Sequence, residues 1–454
     1  MEQQKFLAYV GVLFLFLVVW HSNSLAQADW PQFRGADSRG IAYGDALPDQ
    51  WSTAENISWK TNIPGRGWSS PIVWGDKVFL TTVINSGTSE EPKKGLYFGG
   101  NRPAPADTLH EWKVYCLNLK TGKIIWEQVV HESLPDTPIH LKNSYASETP
   151  VTDGERVYFY FGNIGLFVFD LDGKLEWSKS FAPLPIRNGW GTAASPILHG
   201  NRLYVLNDNN EDSWLKAINK TSGKEIWTIH RDEKSNWSSP YIWENELRTE
   251  IIIPGTGIVT SYDLDGNELW SLEGMSSITI ATPYSADGLL YISSGYVGSR
   301  QKPIYAIRPG AKGDISINET TTSNDYIVWC SWRAAPYNPT TLLYQDNLYV
   351  LLDRGMLSCL DPKSGEFHFE KEKIPRGRSG FTASPWAYDG KVFCLNEDGA
   401  TFVFRAGKSF DLLHVNRLPE DDIYMATPAI ASNRLLIRSS TGLYCFQSDG
   451  ASAN

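Results

Sequence analysis

Few side chains in this sequence stand at spacings that do chemistry. Asp170-Leu171-Asp172-Gly173 and Asp263-Leu264-Asp265-Gly266 look like fragments of a calcium loop. Such a loop needs further oxygens and a terminal bidentate Glu, which neither run supplies. The same residue types make a tight turn by bonding their own backbone, so both runs read as turns. His110-Glu111 and His131-Glu132 lack the second His of a zinc-binding helix. No Gly-x-x-x-x-Gly-Lys-Ser/Thr loop cradles a phosphate, no Gly-x-Ser-x-Gly elbow presents a nucleophile, and the 8 histidines are scattered. No catalytic residue and no metal site is expected.

What remains is a surface. Aromatic residues stand in the stretches ahead of a recurring Ser/Thr-Pro pair: Trp68, Tyr145, Trp190, Trp237, Tyr337, Phe381 and Tyr424. Several of these stretches also carry arginine: Arg66, Arg187, Arg231, Arg333, Arg376 and Arg378. If one end of the fold gathers them, flat apolar faces with fixed cations would hold a planar or anionic ligand, or a loop of a partner protein. The alternative is that the aromatics pack inward and the arginines are solvated. Glu420, Asp421 and Asp422 precede the last copy, so such a mouth is not uniformly positive.

The elements that position these residues come from a repeat. Ser/Thr-Pro recurs at Ser70-Pro71, Thr149-Pro150, Ser195-Pro196, Ser239-Pro240, Thr282-Pro283, Ser384-Pro385 and Thr427-Pro428, with Asn338-Pro339 as a degenerate eighth copy. The spacings between prolines are 79, 46, 44, 43, 56, 46 and 43. The common value is about that of a four-stranded propeller blade, and the two long ones are the same unit with loop insertions. Each unit runs through a short strand, a turn, a second strand such as Arg202-Leu203-Tyr204-Val205, a third such as Leu166-Phe167-Val168-Phe169, a Gly-containing turn and a fourth strand. That fourth strand ends in Trp126, Trp177, Trp227, Trp270 or Trp329. Alternation and β-branched and aromatic enrichment argue antiparallel strands. The recurrent Trp is expected to pack between neighbouring blades.

Ring closure has its own signal. The last unit stops at Tyr444-Cys445-Phe446 with three strands, while Ile57-Ser58-Trp59-Lys60 is a Trp strand with no unit before it. Pairing the two gives an all-β, eight-bladed propeller of four-stranded antiparallel blades, closed by an N-terminal strand. Closure also shields most strand edges.

Of the five cysteines, Cys116, Cys359, Cys394 and Cys445 are read as sharing a third-strand slot that holds Ala217 and Ala306 elsewhere. A slot shared by Ala and Cys is a tight core slot. Equivalent slots in different blades stand too far apart for a disulfide, so at least three free thiols are expected.

These repeats resemble the pyrroloquinoline-quinone-like propeller repeat family, in Cys116-Leu117-Asn118 through Thr121-Gly122-Lys123 to Trp126 and in Ala217-Ile218-Asn219 through Gly223-Lys224 to Trp227. Trp30-Pro31-Gln32-Phe33-Arg34-Gly35, Asn143-Ser144-Tyr145-Ala146-Ser147 and Phe381-Thr382-Ala383-Ser384-Pro385 look like a bacterial subgroup of exported propellers. The chain is also similar to the propeller lipoprotein of the outer-membrane β-barrel assembly machine, without a lipidated Cys. WD and kelch repeats fit worse. Quinone-dependent alcohol dehydrogenases of this fold typically carry adjacent cysteines, a Ca²⁺ site and an Asp base. This sequence has no Cys-Cys pair, and no such set maps onto it. The resemblance therefore implies a non-catalytic binding or scaffold propeller with no cofactor. A pyrroloquinoline-quinone-dependent oxidoreductase with Ca²⁺ is the alternative.

Composition and the N-terminus set the context. Of 454 residues, 42 % are hydrophobic and 20 % charged, a globular composition. The net charge of −10 argues against nucleic acid, which needs a basic face. Lys5, the uncharged run Leu7 to Trp20 and Ala26-Gln27-Ala28 form the pattern of a secretory signal peptide. The run is shorter than the roughly 20 residues of a membrane span. The expected organisation is a leader over 1–28, one propeller over 29–447 and a tail over 448–454. The propeller carries an extension at 29–56 and a first-blade insertion at 84–111. The mature chain is expected to be a periplasmic or secreted monomer with no membrane span, its partner an envelope protein or a small ligand.

Overall fold

A computed structural model describes residues 28–448 except 45, 89, 103 and 376–378. The leader read over 1–28, save Ala28, lies outside the described residues, as do Arg376, Arg378 and most of the tail. Eight antiparallel sheets of four strands make the ring; the fourth adds a short parallel strand, Gly313–Asp314. Blade 1 is Ile72–Trp74, Lys77–Asn85, His110–Asn118 and Ile124–Ser133. Blade 8 is Ala429–Ala431, Arg434–Arg438 and Gly442–Phe446, completed by Ile57–Asn62. That N-terminal strand pairs antiparallel with Gly442–Phe446, Trp59 facing Cys445. Among the described residues no helix is long and apolar enough to cross a membrane.

The repeat signature has a packing cause. On each third strand a residue lies opposite the ring of the fourth: Cys116 faces Trp126, Val168 Trp177, Ala217 Trp227, Ala306 Trp329 and Cys445 Trp59. A small partner leaves room for the indole. The indole then reaches the next blade and donates its N–H to a carbonyl in that blade's third-to-fourth turn. Trp126 bonds Leu171 O at 3.1 Å, Trp177 Lys220 O at 3.1 Å and Trp329 Pro362 O at 2.8 Å. The turn glycine lies under the ring. A Cβ on Gly122, at φ +69°, would stand 2.5 Å from the Trp59 ring. The Thr-Gly-Lys turn and the Trp are thus two halves of one inter-blade contact. Trp270 departs from the rule and bonds the buried Glu250 at 2.7 Å.

Two expectations need correction. Cys394 lies on the second strand of blade 7, Lys391–Leu395, and the shared slot there is Val403, opposite His414. The degenerate eighth copy is Thr340-Thr341, not Asn338-Pro339. Thr340 stands two residues ahead of its strand, Leu342–Tyr344, as Ser384 does ahead of Trp386–Tyr388. The pattern misled because Asn338-Pro339 keeps the proline while the structure keeps the hydroxyl. Both Asp-x-Asp-Gly runs are turns: Asp170 Oδ1 accepts from the Asp172 and Lys174 amides, and Asp263 Oδ1 from those of Asp265 and Asn267.

The repeat hydroxyls form a belt around the central channel, six of the eight accepting from the backbone N–H of the preceding blade's equivalent residue. Ser70 N donates to Thr149, Thr149 N to Ser195 and Ser195 N to Ser239 at 2.9–3.0 Å. Thr282 N donates to Thr340, Thr340 N to Ser384 and Ser384 N to Thr427 at similar lengths. The belt satisfies backbone donors that the innermost strands leave free.

Candidate functional site

The belt is the waist of a cup. Below it the N-terminal extension crosses the channel. Trp30 bridges to Val73 of blade 1, and Pro31 O accepts from Thr152 N of blade 2. Arg34 is fully buried; its guanidinium donates to Ser38 O, Arg39 O, Thr341 O and Pro385 O, the last two on blades 6 and 7. Burial lowers the Arg34 pKa to about 10, with Tyr284 and Asp37 acting the other way. Phe33 is left facing the channel.

Above the belt the first-blade insertion crosses the mouth. Gly95 N donates to Glu397 Oε2 at 2.6 Å, and Lys94 pairs with Asp398 at 3.1 Å, both on blade 7. On the opposite side Arg102 N donates to Asn188 O and Trp190 Nε1 to Gly100 O, at 2.9 and 3.0 Å. Leu96 and Tyr97 of the strap face inward.

The enclosed space is about 250 Å³, just under the usual range of about 300–1,000 Å³ for small-molecule sites. Its walls are aromatic: Trp68, Trp190, Trp237, Tyr337 and Tyr97. Trp190 and Trp237 lie 6.2 Å apart at 42°. Their N–H groups are taken by backbone carbonyls, Trp68 by Lys142 O and Trp237 by Gly191 O, so ring faces and edges are what they offer. Eight hydroxyls of the belt line the waist.

Lys142 is the charged side chain of the lining among the described residues, and it is closed on itself. Its ammonium donates to Glu397 Oε1 at 2.5 Å and to Gly95 O at 2.8 Å. Glu397 is 1 % exposed and also accepts from Thr382. His140 has both nitrogens engaged: Nδ1 accepts from Lys142 N, and Nε2 faces Phe98 O at 3.3 Å. Burial holds its pKa below the ordinary value of 6.5, so it is neutral at pH 7. No serine or threonine of the belt is hydrogen-bonded to a base among the described residues. The lining can stack and can donate and accept hydrogen bonds; the carboxylate that Thr382 bonds is already paired with Lys142.

The residues read from the sequence divide. Trp68, Trp190, Trp237 and Tyr337 come together in the cup. Phe381 and Tyr424 are fully buried in the cores of blades 7 and 8, and Tyr145 is buried beside Trp112. The described arginines line other places. Arg187 lies over the Tyr296 ring and bonds Ser277 O. Arg231 pairs with Asp208 at 2.9 Å in the interior, and Arg333 is exposed. Arg66 borders a second cavity of about 260 Å³ beneath the insertion, with Arg102 and His110. Burial lowers its pKa from the ordinary 12.5. The sequence reading did not find Lys142, His140, Tyr97 or Phe33 as lining residues. Tyr97 comes from the insertion and Phe33 from the Trp30–Gly35 motif, while His140 and Lys142 stand in the stretch ahead of Thr149-Pro150; none of these segments carries partner information by itself.

The family model of outer membrane protein assembly factor BamB matches residues 93–238 and again 168–300. The chain is thus similar to the pyrroloquinoline-quinone-like β-propeller repeat family, over residues 93–300. The proteins it resembles differ in what their names say. A polyvinylalcohol dehydrogenase of a Pseudomonas species is 22 % identical over 325 residues, 65 % of this chain and 42 % of that protein. The chain thus spans less than half the length of that relative. BamB of Moraxella catarrhalis superposes with a TM-score of 0.52 at 13 % identity, over 81 % of this chain and 99 % of that one. The quinohemoprotein alcohol dehydrogenase of Comamonas testosteroni superposes at 0.59 and 12 %, over 95 % and 82 %. At these identities the superpositions speak for the shared propeller fold.

Proposed function

We propose that this protein is a non-catalytic propeller of the cell envelope that holds a small ligand, or the end of a larger one, in the cup. One observation carries the reading: the charged lining group, Lys142, is neutralised by Glu397 at 2.5 Å, and His140 has no free nitrogen. A pocket with matched charges and aromatic walls is built to bind. The name of BamB, an assembly factor, favours a partner-holding role, and the basic, apolar and small-residue pattern over 1–28 favours export.

The dehydrogenase names favour the other reading, and the residues do not fit its cofactor. Pyrroloquinoline quinone carries three carboxylates, which need several cations or a Ca²⁺ ion with six to eight oxygens. Among the described residues the cup offers one lysine, paired with Glu397. No group of three or more His, Cys, Asp or Glu is placed to hold a metal among the described residues. The five cysteines are buried, unpaired and outside the lining. Purified protein incubated with pyrroloquinoline quinone and Ca²⁺ should neither retain quinone absorbance after desalting nor reduce an electron-acceptor dye with alcohols. Retained quinone with dye reduction would overturn the reading.

A further inference from the structure

We infer that the cup takes a neutral carbohydrate ring, an assignment that rests on the binding-protein reading above. Three features of the lining converge on that class. The first is the belt. In the six bonds described, each hydroxyl oxygen accepts a backbone N–H. No described residue accepts a hydrogen from these hydroxyls. A hydroxyl has one donor and two acceptor positions, so each retains an O–H to donate and a lone pair to accept with, on residues that line the cup. A ring of groups that both give and take hydrogen bonds matches a ligand whose own groups do the same, which is what sugar hydroxyls are.

The second feature is the wall. Trp190, Trp237 and Trp68 have their N–H groups bonded to backbone, so they present apolar π faces and edges. The negative face of an aromatic ring attracts the weakly positive C–H face of a saturated ring. A sugar combines that apolar face with a rim of hydroxyls, and the cup places aromatics beside a hydroxyl belt in the same order.

The third feature is charge. Neither the Lys142–Glu397 pair nor neutral His140 leaves an unmatched charge in the lining. An anion or a cation entering the cup would be desolvated without a counter-charge, which is costly. This separates a neutral sugar from the anionic ligand that the arginine-rich stretches suggest, since none of the described arginines of those stretches lines the cup. The volume of about 250 Å³ suits one ring or the terminal ring of an oligosaccharide.

The test uses the full-length mature protein and intrinsic tryptophan emission, backed by titration calorimetry. Probes are glucose, galactose, N-acetylglucosamine, cellobiose and maltose, with glucuronate as the charged counterpart and p-cresol as a planar non-sugar. At least one neutral sugar should bind saturably at up to about 10 mM, the affinity range of a few contacts. Glucuronate should bind no better than glucose. Trp237→Ala should weaken that sugar at least tenfold, and Trp237→Phe should recover part of the loss. Ser384→Ala with Thr340→Val removes two belt hydroxyls without touching the wall and should also weaken binding. Circular dichroism confirms that each variant is folded. Failure of every neutral sugar to bind overturns the inference, whatever else binds. Saturable binding of p-cresol alone would then leave the binding-protein reading standing, whereas quinone retention with dye reduction would remove both.

Discussion

The indole Nε1 of Trp59 donates to the backbone carbonyl of Leu119 at 2.9 Å, joining residues 60 positions apart. It is the contact that Trp126, Trp177 and Trp329 make with their own next blades, here made between blade 8 and blade 1. The ring is therefore closed by the same chemistry that spaces its other blades.

Because Trp59 is 8 % exposed at that junction, Trp59→Ala should lower stability by about 3–5 kcal/mol, the usual result of truncating a buried Trp. Deleting 29–60 removes this strand and the channel plug together, and should give an insoluble or molten chain. Gly122→Ala should cost more than Gly75→Ala. Both glycines have positive φ, but only the Cβ at 122 meets the Trp59 ring. Urea denaturation followed by tryptophan emission measures all four. Equal costs for the two glycine variants would contradict the docking of Trp59 on the turn.

Arg34 holds the plug through four backbone carbonyls on three segments. A lysine keeps the charge but not the fork. Arg34→Lys should therefore destabilise by about 2–3 kcal/mol or more, because buried acceptors are left unmade. Thermal unfolding at constant pH reads the loss. An unchanged Tm would mean that the extension is not anchored in the channel.

The five cysteines are buried and unpaired. Thiol titration in denaturant without reductant should find five free thiols per chain. Burial pushes the thiols of Cys116, Cys330, Cys359 and Cys445 up to about 12, so the folded protein at pH 8 should react slowly. Finding only one free thiol would require two disulfides and would break the strand assignment.

Burial raises the carboxyl of Glu233 from its ordinary 4.5 to about 7, although Arg231 stands 3.6 Å away. The folded state therefore holds this proton more tightly than the unfolded state does. Stability from this group is present at low pH and is lost as pH rises from about 4.5 through about 7. Denaturation midpoints should fall across that window, and Glu233→Gln should flatten the fall. A midpoint that rises equally in both proteins would contradict the assignment.

The architecture was legible because each blade needs the same few residues. The Ser/Thr of the belt, the turn glycine and the Trp above it recur, and their recurrence is visible without knowing their contacts. Trp59 stood out because it lacked a unit to complete. The site was only half legible. Trp68, Trp190, Trp237 and Tyr337 sit at repeat-defined places, so their convergence follows from the ring. Lys142 does not: its partner Glu397 is 255 positions away, brought to it by the fold and the strap. The arginines misdirect because a stretch ahead of an inner strand is long enough to point its side chain over a neighbouring ring, as Arg187 does at Tyr296. Asn338-Pro339 and Cys394 show the same limit, where matching letters replaced the register that hydrogen bonding sets.

A crystal structure of the protein soaked in cellobiose tests most directly whether the neutral cup is a ligand site. A sugar ring should lie against Trp190 or Trp237, its hydroxyls bonded to the Ser and Thr belt, with the Lys142–Glu397 pair intact. A cup holding only water, with sugar bound on an outer blade face or nowhere, would contradict it.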